Sequence, residues 1–191
     1  SRPQGGHLIT SKIEHDAVLR AVEWLRPMGF DATLADVDAV GRVDADRVLA
    51  AIRADTFLVS IMAGNNEIGT LEPIEEIGRV CRERGILFHT DAVQAVGKVD
   101  LAMESVDLLS ASAHKLHGPK GVGFLYVRRG TRLTPLSHGG GHERGLRSGT
   151  ENVPGIVGLA AALRLAFAER GQVTTRMLRL RKRLIDEVLK I

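Results

Sequence analysis

The hydrophobic period of this chain switches repeatedly between two and 3.6, and that alternation constrains the fold more than any other feature. It demands strands and helices in turn around a shared sheet. DAVLRAVEWLRPMG (16–29) carries apolar residues at helical spacing, and VDADRVLAAIRAD (43–55) predicts a second helix with Asp44 as its N-cap. TFLVSIM (56–62) then reads as a buried strand. EPIEEIGRVCRERG (72–85) has proline near its start and glycine at its end, the asymmetry expected of a helix. ILFHTD (86–91), VDLLSASAH (106–114) and GVGFLYVRR (121–129) predict three further strands, and from 153 onward the pattern is helical, with a break expected around Gly171. There is no internal repeat and no low-complexity segment. The expectation is an α/β fold built on a mostly parallel sheet flanked by helices.

Three of these strands end on polar or ionisable residues: NNE after the first, HTD on the second, SAHK on the third. Ligands of open α/β sheets sit outside the carboxyl ends of the strands. Asn65, Asn66, His89, Asp91, Gln94, Ser112, His114 and Lys115 are therefore expected at one crevice, more polarity than a structural edge needs. A lysine at the end of a buried strand is costly unless something compensates for it. The chemistry that suits the set is pyridoxal phosphate: Lys115 to hold the aldehyde as a Schiff base, Asp91 to pair with the ring nitrogen, hydroxyls and backbone N–H groups for the phosphate. On spacing alone, a structural Asp91–Lys115 ion pair is the competing reading.

Composition excludes several other classes. At 191 residues, 44% hydrophobic and 26% charged, the chain has the make-up of a globular protein of one or two domains. Its longest apolar run, IVGLAAALRLAFA, is interrupted by Arg164 and falls short of the roughly 18–20 residues that cross a bilayer. No signal peptide is expected from the first residues, and the single cysteine, Cys81, fits a reducing compartment, so a cytoplasmic setting with no membrane partner is expected. The net charge of +3 does not imply nucleic acid, because basic residues are scattered except in RMLRLRKR (176–183), where interleaved leucines point to a helix with a solvated face. His114 with His117, or His138 with His142, lack a third ligand at metal-binding spacing, so no metal is expected. GPKGVG and GGGHERG match neither nucleotide-loop pattern. Asn65 and Glu67 have a plainer use in shaping the turn between Gly64 and Gly69.

EHDAVL, SIMAGNNEIGT, HTDAVQAVGK, SASAHKLHGPKGVGFLYVRR and HGGGHERGLRSGTENV follow one another in the order and spacing of one family. Over nearly its whole length the chain resembles the cysteine desulfurases, the NifS/IscS group of class-V aminotransferase-like, fold-type I pyridoxal-phosphate enzymes. The resemblance implies that Lys115 is the Schiff-base lysine and also moves the substrate Cα proton. It implies Asp91 as the ring-nitrogen partner, Gln94 as a donor to the ring hydroxyl, and His15 as the imidazole over the ring. Asn66 would lie near the ring hydroxyl and substrate carboxylate, Ser112 and His114 would bind phosphate, and Thr150 would serve the phosphate site of a neighbouring subunit. L-cysteine as substrate, a homodimer, and a sulfur-acceptor or iron–sulfur scaffold protein as partner follow from the same resemblance. Selenocysteine lyase, a class-V aminotransferase, or a non-catalytic scaffold are the alternatives.

Departures from the family pattern matter too. The family takes up sulfur on a cysteine of a C-terminal loop and holds the substrate carboxylate with an arginine beyond it, and neither region is in these residues. Cys81 shares an apolar helical face with Ile74, Ile77 and Val80, where a thiol is a poor nucleophile. The glycine/threonine phosphate turn of the N-terminal part is also outside the sequence. The chain therefore reads as a middle portion: residues 1–170 as the cofactor-binding large domain without its N-terminal part, and 171–191 as the start of a C-terminal small domain.

Overall fold

A computed structural model describes residues 5–191; residues 1–4, including the expected start of the large domain, lie outside the described residues. Six strands form one sheet in the order β2-β1-β3-β4-β5-β6. They are β1 (Gly6–Ser11), β2 (Phe30–Ala35), β3 (Thr56–Ser60), β4 (Leu87–Asp91), β5 (Leu108–Ser112) and β6 (Gly123–Val127). The first five run parallel, and β6 returns antiparallel to β5. A mostly parallel sheet is thus borne out, and the tight return after β5 explains β6: an antiparallel neighbour needs only a short turn, whereas parallel strands need a crossover.

Helices α1 (Asp16–Leu25), α2 (Ala45–Ala50) and α3 (Ile74–Glu83) make the first three crossovers, and α4 (Val153–Val188) closes the chain. Asp44 caps α2 as expected, accepting the Arg47 N–H at 3.3 Å. In α3 the apolar residues Ile74, Ile77 and Cys81 share one stripe and are buried against Phe88 and Val59, while Val80 is only half-buried. Phe88, Ile61, Val59, Ile77 and Val48 are fully buried, and each such side chain contributes about 1.5–3 kcal/mol relative to exposure.

Two expectations need correction. β1 and β2 are strands that the hydrophobic pattern does not announce, because β1 includes the fully buried His7, and β2, on the edge, leaves most of its residues half-buried or exposed. The break expected near Gly171 is absent: α4 runs through it unbroken, with Thr175 Oγ1 donating to the Gly171 carbonyl at 2.9 Å. A lone glycine costs a helix only about 1 kcal/mol, too little to end one whose neighbours are good helix formers.

The topology also fixes where a ligand can enter. The chain passes from β1 outward to β2 and then back across β1 to β3, so the loops leaving β1 and β3 run in opposite directions. A crevice opens between such divergent loops at the carboxyl edge.

Candidate active site

The carboxyl edge gathers every strand-end residue that the sequence pointed to. β3, β4 and β5 are adjacent, so Asn66 beyond β3, Asp91 at the end of β4, and Ser112, His114 and Lys115 at the end of β5 line one edge. β1 lies beside β3, and its exit carries His15 to the same edge. Gln94 follows in the tight turn after β4, where the Asp91 Oδ1 accepts the Val93 N–H at 2.9 Å. Its side-chain carbonyl accepts from Lys98 Nζ at 2.6 Å, which leaves its amide N–H groups for another acceptor.

His15 is the N-cap of α1. Its Nδ1 accepts the Ala17 N–H at 3.1 Å, so the proton of the neutral ring resides on Nε2. Asn65 and Asn66 divide their roles: Asn65 is buried and shapes the turn, its Oδ1 accepting from the Glu67 and Ile68 N–H groups at 2.8 and 3.1 Å. Asn66 is exposed, and its side chain makes no hydrogen bond among the described residues.

Lys115 corrects the sequence reading. It lies in a 3-10 turn (Ala113–Leu116) and is exposed rather than buried, and its amine makes neither a hydrogen bond nor an ion pair among the described residues. The competing Asp91–Lys115 ion pair is therefore absent, and no cation pairs with Asp91 among the described residues. Lys98 feels the positive field of Lys115, which adds to burial in holding its own amine below the usual range. Ser112 Oγ and His114 Nδ1 are hydrogen-bonded at 2.8 Å. The glycine after this turn has a packing reason: a side chain on Gly118 would meet the Ala113 carbonyl at 3.0 Å and Ala162 of α4 at 3.1 Å, so α4 holds the lysine turn from behind. Thr150 is exposed in the loop before α4, and no hydrogen bond joins it to the strand ends.

Two groups beneath this edge went unnoticed or unassigned in the sequence. His89 lies two residues before Asp91, on the same face of β4, and spans three strands: its Nδ1 is 2.7 Å from Ser60 Oγ on β3 and its Nε2 2.9 Å from Ser110 Oγ on β5. Burial holds its ring below the ordinary histidine range, against the opposing pull of Asp91. Glu14, between Ser11 and His15, is buried, and burial pushes its carboxyl up to about 7. The EH pair was the available signal, since an acid so close to the end of a buried strand must find donors.

Cys81 is fully buried in the α3 face, and burial, with the negative field of Asp107, pushes its thiol up to about 12. No group of three metal-ligating side chains exists among the described residues. Two hollows, of about 300 Å³ lined by Asp38 and Arg42 and about 370 Å³ lined by Phe124 and Tyr126, include neither Asp91 nor Lys115 in their walls. No helix among the described residues is long and apolar enough to cross a membrane.

Among the described residues, an aspartate without a cation, an amine without an anion, and an amide and hydroxyl at the same edge are the groups a phosphorylated pyridine aldehyde would engage, so the residues present fit that cofactor. The class-V aminotransferase family model matches residues 2–191. The chain belongs to the class-V aminotransferase family. It is 53% identical, over its whole length, to a cysteine desulfurase IscS of Methanosarcina thermophila, of which it covers 48%. A putative cysteine desulfurase IscS 1 of Bacillus subtilis is 55% identical over 88% of the chain, which covers 45% of that relative. Among solved structures, a NifS-like protein superposes with a TM-score of 0.94 at 46% identity, over 98% of this chain and 52% of the other. SspA, solved in complex with cysteine, superposes with a TM-score of 0.82 at 49% identity, over 85% of this chain and 48% of that one. The chain thus spans about half the length of the relatives it matches, and its sheet is a partial fold-type I large domain.

Proposed function

We propose that this chain is the cofactor-binding portion of a pyridoxal-phosphate-dependent cysteine desulfurase. One observation carries the reading: Asp91 and Lys115 stand at neighbouring strand ends, opposite in charge, and neither is ion-paired among the described residues. The relatives named as cysteine desulfurases and the SspA structure with cysteine support the substrate.

When bound, pyridoxal phosphate supplies an aldehyde carbon for amines and an electron-withdrawing ring. Lys115 Nζ would hold the aldehyde and would be the base placed to move the proton at the substrate Cα. Asp91 keeps the ring nitrogen protonated, because an adjacent carboxylate favours the charged form of a base. The free amide of Gln94 and the side chain of Asn66 are assigned to the ring hydroxyl and substrate carboxylate, His15 to the ring face, and Ser112 and His114 to the phosphate. Thr150, exposed and without a hydrogen bond among the described residues, is assigned to the phosphate of a second subunit, which makes a homodimer the working form. The overall reaction balances as L-cysteine plus a protein thiol giving L-alanine plus a protein persulfide. Cys81, with a buried, high-pKa thiol, is unsuited to accept the sulfur, and the acceptor belongs to the remaining half of the protein. A sulfur-acceptor or iron–sulfur scaffold protein would then take the persulfide sulfur, in the cytoplasm.

Every residue from 171 to 191 is exposed, which supports assigning this stretch of α4 to the start of a second domain. The deciding experiment follows alanine and sulfide release from L-cysteine by the full-length protein and its Lys115→Ala variant. The variant is expected to lose turnover by at least about a thousandfold while remaining folded, because the amine is exposed and makes no hydrogen bond or ion pair among the described residues. Retained turnover in that variant would overturn the assignment.

A further inference from the structure

The loops leaving β1 and β3 diverge at the switch point of the sheet, yet one side chain ties them together. Glu14 Oε1 accepts two hydrogen bonds at once, from Ser11 Oγ at 2.8 Å on its own turn and from the Met62 N–H at 2.8 Å beyond β3. Asn65 Nδ2 adds a parallel tie to the Ile13 carbonyl at 3.0 Å. Glu14 is only 5% exposed, and its Oε2 is buried without a hydrogen-bond partner among the described residues. Burying a carboxyl this way is costly, and a purely structural tie between two loops is made more cheaply by a neutral side chain.

We infer that Glu14 is a positioning residue, a latch that sets the backbone entering His15 against the β3 exit that carries Asn66; the inference rests on the proposed role of His15 at the cofactor. The latch fixes the turn on one side of His15, and the Ala17 N–H fixes its ring from the other, so Nε2 is the ring atom left to meet a ligand. Two negative groups act on Glu14, Asp91 at the end of β4 and Glu72 ahead of α3, and both add to burial in raising its pKa, while Met62 N–H and Ser11 oppose them. The carboxyl therefore keeps much of its proton near neutrality. It can latch the two loops without placing a second full negative charge beside Asp91, whose own charge the ring nitrogen requires.

Glutamine preserves the accepting oxygen and alanine does not, so the two variants separate a latch from a space-filler. In the cofactor-free full-length protein with 15N-labelled histidine, the His15 ring signal, identified by its loss in His15→Gln, should report an unprotonated Nδ1. Glu14→Ala should move that signal toward averaged tautomers, and Glu14→Gln should leave it near the wild-type position. In the loaded protein, Glu14→Ala should lower kcat about tenfold with little change in KM, the pattern of a misplaced group rather than lost binding. Glu14→Gln should recover kcat to within about threefold. An unchanged His15 signal and kcat in Glu14→Ala, or a glutamine variant no better than alanine, would overturn the inference. Should Glu14→Ala fail to fold, Ser11→Ala decides: loss of one donor should shift the same signal by a smaller amount, and no shift refutes the latch. The ring signal is read without turnover, so a protein inactive on cysteine would overturn the proposed function while leaving the latch standing.

Discussion

The amino edge and the carboxyl edge of the sheet are both rich in polar side chains, but they are satisfied in opposite ways. At the amino edge His7 is completely buried, with Nδ1 2.7 Å from Thr56 Oγ1 and Nε2 2.9 Å from Thr33 Oγ1, so it joins β1 to both neighbours. Around it Arg53 donates to Asp31 at 2.6 Å and to Asp55 at 3.2 Å, and the His7 N–H to the Asp55 carbonyl at 3.0 Å. The carboxyl edge instead presents, among the described residues, Lys115 and Asn66 without hydrogen-bond or ion-pair partners, Asp91 without a cation, and a buried Glu14 oxygen without a hydrogen bond. Polar groups that satisfy one another hold a fold together, whereas groups left open at one edge are kept for something that binds. His89 sits at the boundary: it repeats the His7 device with two serines, directly beneath Asp91.

This contrast can be broken by substitution. The largest effect expected is on chemistry: Asp91→Asn in the full-length protein should reduce cysteine turnover by about a hundredfold or more, because a neutral amide no longer favours a protonated ring nitrogen. Its stability in denaturant should stay within about 0.5 kcal/mol of the parent, since the asparagine carbonyl still accepts the Val93 N–H. A large loss of stability with normal turnover would place Asp91 with the structural edge.

His7→Ala should behave in the reverse manner. It removes a buried ring and leaves two threonine hydroxyls without it, a cost of about 2–4 kcal/mol, with little change in KM or kcat of the folded fraction. Burial, followed by the positive field of Arg53, holds the His7 ring below its ordinary value of 6.5, with Asp31 and Asp55 opposing. Between its folded value and 6.5 the unfolded chain binds more protons than the native one, so stability is complete above 6.5 and is lost as the pH falls through the folded value. Chemical denaturation across that window should show a shallower acid decline in the alanine variant, and an identical slope would show that His7 is not the group responsible.

The smallest effect is reserved for the exposed ion pair of the amino edge. Asp31→Asn should leave turnover unchanged and move the thermal midpoint slightly, with the difference shrinking at high salt, because exposed charge pairs are screened. A salt-independent loss of activity would mean that the two edges are coupled through β1.

Much of the site was legible in the chain because its residues sit next to strong local signals. Asp91, Ser112, His114 and Lys115 each close or follow a run of strand-forming residues, and a strand that runs in parallel with its neighbours must deliver its last residues to the same edge. His15 was legible only through its flanking motif, and in the structure its local job is to cap α1. Glu14 and the serine partners of His89 were not legible as a network. Their meaning depends on Met62 and on strands 29 and 21 residues from one another along the chain, and no local period encodes such pairings.

What the sequence determined by itself was the class of fold and the edge at which chemistry belongs, because helical and strand periods are local and the ends of strands are marked by their own polar residues. The tertiary structure alone decided that β1 would lie between β2 and β3, that His7 would be buried while Lys115 stayed exposed, and that α4 would pass Gly171 unbroken. Burial and pairing are sums over neighbours distant in sequence: a histidine is hidden only where two threonines from other strands arrive to receive it, and a lysine stays free only where no carboxylate does.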